Sequence, residues 1–105
     1  MEIKLSIAND FSRTPGARYY KDGQNSGEEF YEKLLSVKFK EALDAGSKLV
    51  IDLDGTEGYA TSFLDEAFRK LSEAYSPDVV WDNIMLISYD EPDWVDEIKS
   101  YIFQD

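Results

Sequence analysis

The chain has 105 residues, a length that suits one domain over residues 1–105, and 43% of them are hydrophobic, enough for a packed core. It has no cysteine and no histidine, which excludes disulfides, Cys/His zinc sites and histidine-based catalytic triads. A net charge of −11 predicts repulsion of nucleic acid and anionic membranes, and the absence of a signal peptide or long apolar run favours the cytoplasm.

The first quarter of the chain is predicted to hold one strand and a long loop. Residues 1–8 alternate between apolar and polar side chains, the pattern of a half-buried strand. Residues 9–25 are rich in proline, glycine and asparagine, which is typical of a loop. Within this loop, residues 17–20 (ARYY) could form a short edge strand.

A first helix is predicted to follow the loop. Ser26 as N-cap and Glu29 three residues later match a capping box. The helix should end at Gly46, because glycine commonly terminates helices. Its apolar pattern is imperfect over residues 36–38, which predicts a bend or a break there.

The middle of the chain is predicted to form a central buried strand and an amphipathic helix. Residues 48–53 are a short, largely apolar run between glycines. Residues 62–76 place their apolar side chains on one helical face, and Pro77 is expected to end that helix. The opposite, polar face is predicted to hold Asp65, Glu66, Arg69, Lys70, Ser72 and Glu73.

The last third of the chain is predicted to add a strand over residues 83–88 and a helix that opens at Pro92. Strands thus alternate with helices along the chain, and this order is typical of a mostly parallel sheet. The predicted fold class is α/β, with a small sheet of three to five strands.

A polar turn leads from the central strand into the amphipathic helix, and Thr61 and Ser62 stand where the turn becomes helical. A hydroxyl there can cap the helix, or it can carry a phosphate, because the free N–H groups and the helix dipole favour negative charge. Asp65 follows Ser62 by three residues, so a capping box worth roughly 1 kcal/mol is one interpretation. A phosphosite at Thr61 or Ser62, beside Asp65 and Glu66, is the other.

Five phrases of the sequence together resemble the bacterial STAS-like domain family of unknown function. They are residues 10–12 (DFS), 15–18 (PGAR), 25–30 (NSGEEF), 50–55 (VIDLDG) and 62–68 (SFLDEAF). The most specific phrase is SFLDEAF, and the resemblance covers most of residues 3–75.

That family is similar to the STAS domains of anti-sigma-factor antagonists, which are small βα sandwiches. The resemblance implies a non-catalytic signalling module. In the antagonists, a serine before the corresponding helix is phosphorylated by a serine kinase with a histidine-kinase-like ATPase fold. The resemblance places Thr61 and Ser62 at the antagonists' paired hydroxyl positions, while Ala60 and Phe63 stand where the antagonists have an acid and a glycine.

Two other groups of residues are candidate sites. Asp52, Asp54 and Glu57 lie at or after the carboxyl end of the central strand and are either solvated turn carboxylates or ligands for magnesium. Arg18 either pairs with a carboxylate near the strand ends or contacts an anion or a partner. The glycines form no GxGxxG or phosphate-loop motif, so we expect no nucleotide cofactor. We expect the turn carboxylates to be solvated, and therefore no resident metal.

Three functions compete on the sequence alone. The leading hypothesis is a non-enzymatic, STAS-like interaction module that binds a histidine-kinase-like ATPase or another regulator through Thr61, Ser62, Asp65 and Glu66. The alternative is an acidic inhibitor that blocks the basic, nucleic-acid-binding surface of a partner, as the net charge suggests. A magnesium-dependent enzyme is the third, but the sequence offers no obvious pairing of a nucleophile with a base.

Overall fold

Three short parallel strands form the sheet of the computed structural model, which describes residues 2–104. The strands are β1 Ile3–Ser6, β2 Leu49–Asp52 and β3 Ile84–Ile87, and their order in the sheet is β1-β2-β3. The helices are α1 Gly27–Phe30, α2 Ser36–Asp44, α3 Thr61–Ala74, α4 Pro77–Asp82 and α5 Asp93–Ile102. The prediction of a small α/β fold with a parallel sheet is therefore confirmed.

The hydrophobic core lies on one face of this sheet. Leu5, Ile51 and Leu86 stand in register on neighbouring strands and contribute to the same core cluster. Side chains alternate between the two faces of a strand, so Val50 and its register partner Met85 belong to the opposite face. Val50 is buried but lies outside the core cluster, and Met85 is exposed.

The predicted first helix is present, with a π-helical segment, Tyr31–Leu35, between α1 and α2. The irregularity expected over residues 36–38 therefore lies about one turn earlier in the chain. Ser26 caps α1, since its Oγ accepts the N–H of Glu29 at 3.0 Å. Gly46, with φ of +66°, follows the end of α2 and confirms the predicted stop.

The edge strand considered for residues 17–20 is wrong. The carbonyl oxygens of Ala17 and Arg18 accept the N–H groups of Gly27 and Glu28, at 2.8 and 2.9 Å. These bonds tie the segment to the first residues of α1 instead of to the sheet. A 3-10 turn over Tyr20–Asp22 follows it.

Helix α3 confirms the predicted helix over residues 62–76, but two residues of its predicted polar face are buried. Glu66 is 3% exposed and Ser72 is 7% exposed. The Ser72 hydroxyl donates to the carbonyl oxygen of Ile102 on α5 at 2.7 Å. Helices α1 and α5 both pack against α3, α1 beside Glu66 and α5 beside Ser72, so the buried face of α3 is wider than its apolar residues alone define.

Helix α4 was not predicted. Pro77 was interpreted only as the end of the preceding helix, whereas it is the first residue of α4. Ser76 caps this helix, because its Oγ accepts the N–H of Val79 at 3.3 Å. The strand predicted over residues 83–88 and the helix opening at Pro92 are both confirmed, as β3 and α5.

Candidate functional site

The start of α3 is held without a side-chain cap. Ala60 has extended backbone angles and occupies the N-cap position, and its carbonyl oxygen accepts the N–H groups of Phe63 and Leu64. Thr61 and Ser62 are already the first two helical residues. The prediction that Ser62 caps this helix is therefore wrong, because the helix begins one residue before it.

Aromatic packing fixes this helix start in place of a cap. Phe63 in the first turn of α3 is fully buried, and its ring centroid lies 5.6 Å from that of Phe30 and 6.1 Å from that of Phe11. Gly27 makes the approach of α1 possible. A Cβ atom at Gly27 would lie only 2.5 Å from the carbonyl oxygen of Phe63.

The two hydroxyls at this turn have no structural task within residues 2–104. Thr61 is exposed and Ser62 is partly exposed, and neither hydroxyl takes part in a hydrogen bond among these residues. The first turn of α3 also carries no acidic residue. Neither hydroxyl is therefore engaged within residues 2–104, and the free N–H groups of a first helical turn favour negative charge.

Asp65 does not reach back to the helix start. Its Oδ2 lies 2.7 Å from Nη1 of Arg18, and its Oδ1 accepts the Nε–H of Arg69 at 3.2 Å. Arg18 thus pairs with a carboxylate, as one of the two interpretations held, and this carboxylate belongs to α3. Burial alone would raise the pKa of Asp65, yet the hydrogen bonds from Arg18 and Arg69 hold this pKa below its usual value.

Glu66 is buried beneath this surface. Its carboxylate lies 3.2 Å from Nζ of Lys70 and 3.6 and 3.8 Å from the guanidinium groups of Arg18 and Arg69. Three cations thus surround a carboxylate that a partner cannot contact directly. The buried Glu66 carboxylate therefore attracts the side chains of Arg18, Arg69 and Lys70 and helps to fix their positions.

The carboxylates after β2 hold turns together. Asp52 Oδ1 accepts the N–H of Asp54, and the two oxygens of Asp54 accept the N–H groups of Tyr89 and Asp90. Glu57 is exposed. Across residues 2–104, no group of three or more acidic side chains is placed to hold a metal ion.

A cleft of about 200 Å³, which was not predicted, lies beside these turns at the carboxyl ends of β2 and β3. Tyr59 forms part of its wall and donates its hydroxyl to the carbonyl oxygen of Leu53 at 2.7 Å. Burial raises the pKa of Tyr59 to about 12, so the phenol is protonated at neutral pH. The cleft joins residues 53–59 to residues 88–94, segments whose contact no local sequence pattern reveals.

The family model for the STAS-like domain of unknown function matches residues 26–94, and the chain therefore belongs to this family. The matched range includes the NSGEEF start of α1 except for its first residue, the strand β2, SFLDEAF and the cleft. It leaves out the phrases at residues 10–12 and 15–18, and it extends beyond residue 75, where the resemblance was expected to end. No curated protein and no solved structure gives a match.

Membership of this family suggests a regulatory protein-interaction module, and STAS-like domains are typically non-catalytic. It specifies neither a partner nor a modification. Within residues 2–104, none of the helices has both the length and the apolar character required to cross a membrane.

Proposed function

We propose that the chain is a non-enzymatic, cytoplasmic regulatory module whose binding to a protein partner is switched by phosphorylation of Thr61 or Ser62. The observation that carries this proposal is the start of α3, where two adjacent hydroxyls are free of the capping bonds that hold Ser26 and Ser76. A modification at Thr61 or Ser62 therefore removes no hydrogen bond on which the fold depends.

Electrostatics favours a phosphate at this position. A phosphoryl group adds roughly −1.5 to −2 charges at neutral pH, and the unpaired N–H groups of a first helical turn attract such charge. Asp65, three residues after Ser62, is already paired with Arg18 and Arg69. Its repulsion of a phosphate at Ser62 is reduced by those two cations.

Arg18 is the proposed anion contact. Its guanidinium bonds Asp65, and residues three apart on a helix lie on neighbouring turns of one face, so Ser62 lies one turn from Asp65. About a quarter of the Arg18 side chain is exposed. A phosphate on Ser62 would compete with Asp65 for this cation and so change the surface that a partner meets.

The phosphoryl donor in this proposal is ATP, and the enzyme is a histidine-kinase-like ATPase that acts as a serine kinase. The hydroxyl oxygen of Thr61 or Ser62 forms a bond to the γ-phosphorus, the bond to ADP breaks, and the hydroxyl proton passes to a base of the kinase. This chain supplies only the acceptor and the docking surface, which includes Asp65 and is supported by the buried Glu66.

Phosphate mapping in the native host tests this proposal. The protein is purified with its bound proteins, and mass spectrometry maps phosphate on the peptide that covers residues 55–70. We expect phosphate at Thr61 or Ser62, together with a co-purified ATPase that phosphorylates the wild type but not the Thr61→Ala/Ser62→Ala double variant. Ser76→Ala is the matched control, since its hydroxyl is engaged as a cap.

Two results would contradict the switch. One is equal phosphorylation of the wild type and the double variant by the co-purified ATPase. The other is a basic, nucleic-acid-binding partner that binds both proteins equally, which would favour the acidic inhibitor.

A further inference from the structure

The charged side chains that line the cleft at the carboxyl ends of β2 and β3 are all acidic. The volume of the cleft is about 200 Å³, and no lysine or arginine of residues 2–104 lines it. Four of the ten residues that line it are acidic (Asp54, Glu57, Asp90 and Glu91) and two are aromatic (Tyr59 and Trp94), so the cleft is suited to a cation.

The aromatic wall of the cleft is built from Tyr59 and Trp94. Their rings meet edge to face, with centroids 5.7 Å apart and an interplanar angle of 85°. Tyr59 is further fixed by its hydrogen bond to the carbonyl oxygen of Leu53. Aromatic faces attract cations, and arginine is the side chain most often found stacked on them.

The acids of the cleft divide into two pairs with different tasks. Asp54 and Asp90 accept backbone N–H groups across the two loops, including the N–H of Gly55 at 3.1 Å from Asp90 Oδ2, and so hold the two loops together beside the cleft. Glu57 and Glu91 are exposed, and within residues 2–104 their carboxylates make no hydrogen bond or ion pair. These two carboxylates are available to a ligand.

The size of the cleft restricts its ligand. Sites for nucleotides and drug-sized molecules usually measure about 300–1,000 Å³, which is larger than this cleft. A single side chain from another protein is of the appropriate size. Tyr89 stands beside the cleft and is 84% exposed, and exposed tyrosines of this kind are common at protein interfaces.

We propose that the cleft receives an arginine side chain of a partner protein, with its guanidinium between the Tyr59–Trp94 wall and the carboxylates of Glu57 and Glu91. The inference rests on the proposed function in that the ligand belongs to a protein partner. Residues 58 and 59 lead directly into Ala60, so an arginine held here brings the partner against Thr61. The cleft thus supplies the docking contact beside the proposed switch.

Titration with small probes tests this site without the partner and without phosphate. N-acetyl-arginine amide is added to the ¹⁵N-labelled protein, and the amide signals of Gly58 and Tyr59 and the Trp94 indole signal are followed. We expect saturable shifts that are confined to the cleft. The neutral citrulline probe should need at least about a tenfold higher concentration to produce them, and the lysine probe should bind more weakly than the arginine probe.

Variants of the unpaired residues locate the site. Glu57→Gln combined with Glu91→Gln should weaken arginine binding by about 3- to 30-fold, as expected for two partly exposed ion pairs. Trp94→Leu should weaken it by about 2- to 5-fold. Asp78→Asn combined with Asp82→Asn removes the same charge from exposed positions of α4 and should leave binding unchanged.

Three results would overturn the inference. They are the absence of cleft shifts with the arginine probe, equal shifts with citrulline, and equal weakening by the α4 control variant. Glu57→Gln and Glu91→Gln alter exposed side chains without described partners, so the test does not depend on the folding of Trp94→Leu. The probes are tested on protein with unmodified Thr61 and Ser62. Arginine binding would therefore support this site even if the phospho-switch proved wrong.

Discussion

The starts of α1 and α3 lie against each other, yet they are built in different ways. At α1, Ser26 is completely buried and its hydroxyl caps the helix. At α3, Ala60 takes the cap position and the hydroxyls of Thr61 and Ser62 are left without a bond among the described residues. One helix start is stabilised by its own hydroxyl, and the other is stabilised by the packing of its neighbour.

This difference distinguishes the Ser26 hydroxyl, which caps a helix, from the hydroxyls of Thr61 and Ser62, which do not. Phe63 anchors the first turn of α3 among aromatic rings, and Gly27 allows α1 to approach it closely. The helix therefore begins at a defined residue without using either hydroxyl. The proposed modification site depends on this difference, because two partly exposed hydroxyls make no hydrogen bond among the described residues.

The largest effect on this comparison should come from the contact between the two helix starts. In Gly27→Ala the new methyl group would lie 2.5 Å from the Phe63 carbonyl oxygen, so α1 and α3 must move apart. We expect a loss of at least about 2 kcal/mol in the free energy of unfolding, measured by urea denaturation. An unchanged midpoint would show that the close approach does not hold the start of α3.

The ion pairs below the surface should give the next largest effect. Glu66→Ala removes the carboxylate that three cations share and should lower the free energy of unfolding by about 1–3 kcal/mol, since those cations remain partly exposed to water. Glu73→Ala is the matched control on the same helix, because Glu73 is exposed and lies 3.9 Å from Arg69. Its effect should stay within about 0.5 kcal/mol. Equal losses of unfolding free energy in the two variants would show that the burial of Glu66 does not contribute to stability.

The hydroxyls themselves provide the most direct structural comparison. Ser26→Ala should lower the free energy of unfolding by about 1 kcal/mol, because it removes the cap of α1. Ser62→Ala should change it by less than about 0.5 kcal/mol, because no described bond is lost. Thermal melts of the two variants measure both. A Ser62→Ala variant as unstable as Ser26→Ala would restore the capping role that the structure removes from Ser62.

Periodicity and capping chemistry predicted the sheet strands, α1, α2, α3 and α5 from the sequence, because these signals are local. The start of α4 was also encoded locally, in Ser76 followed by Pro77, but the proline was interpreted only as a stop. The bonds of Ala17 and Arg18 to α1 prevent the expected edge strand. A pattern of short-range propensity contains no information on such long-range bonds.

Three features of the site could not be predicted from the sequence, because they depend on tertiary contacts. Glu66 is buried because Arg18, 48 residues earlier in the chain, and α1 come to lie over it. Ser62 is not a cap because α3 begins at Thr61, one residue before it, and the buried Phe63 packs in the first turn. The cleft requires the loops after β2 and β3 together, and only the sheet order brings these loops into contact.

Isothermal titration of the co-purified partner tests the central claim most directly. The titrated proteins are the wild type, Thr61→Ala, Ser62→Ala and the protein phosphorylated at Thr61 or Ser62. We predict at least about a tenfold change in affinity on phosphorylation, with the melting temperature nearly unchanged, because the charge joins the partner surface without breaking a bond of the fold. Equal binding of all four proteins would contradict the switch and leave a constitutive adaptor.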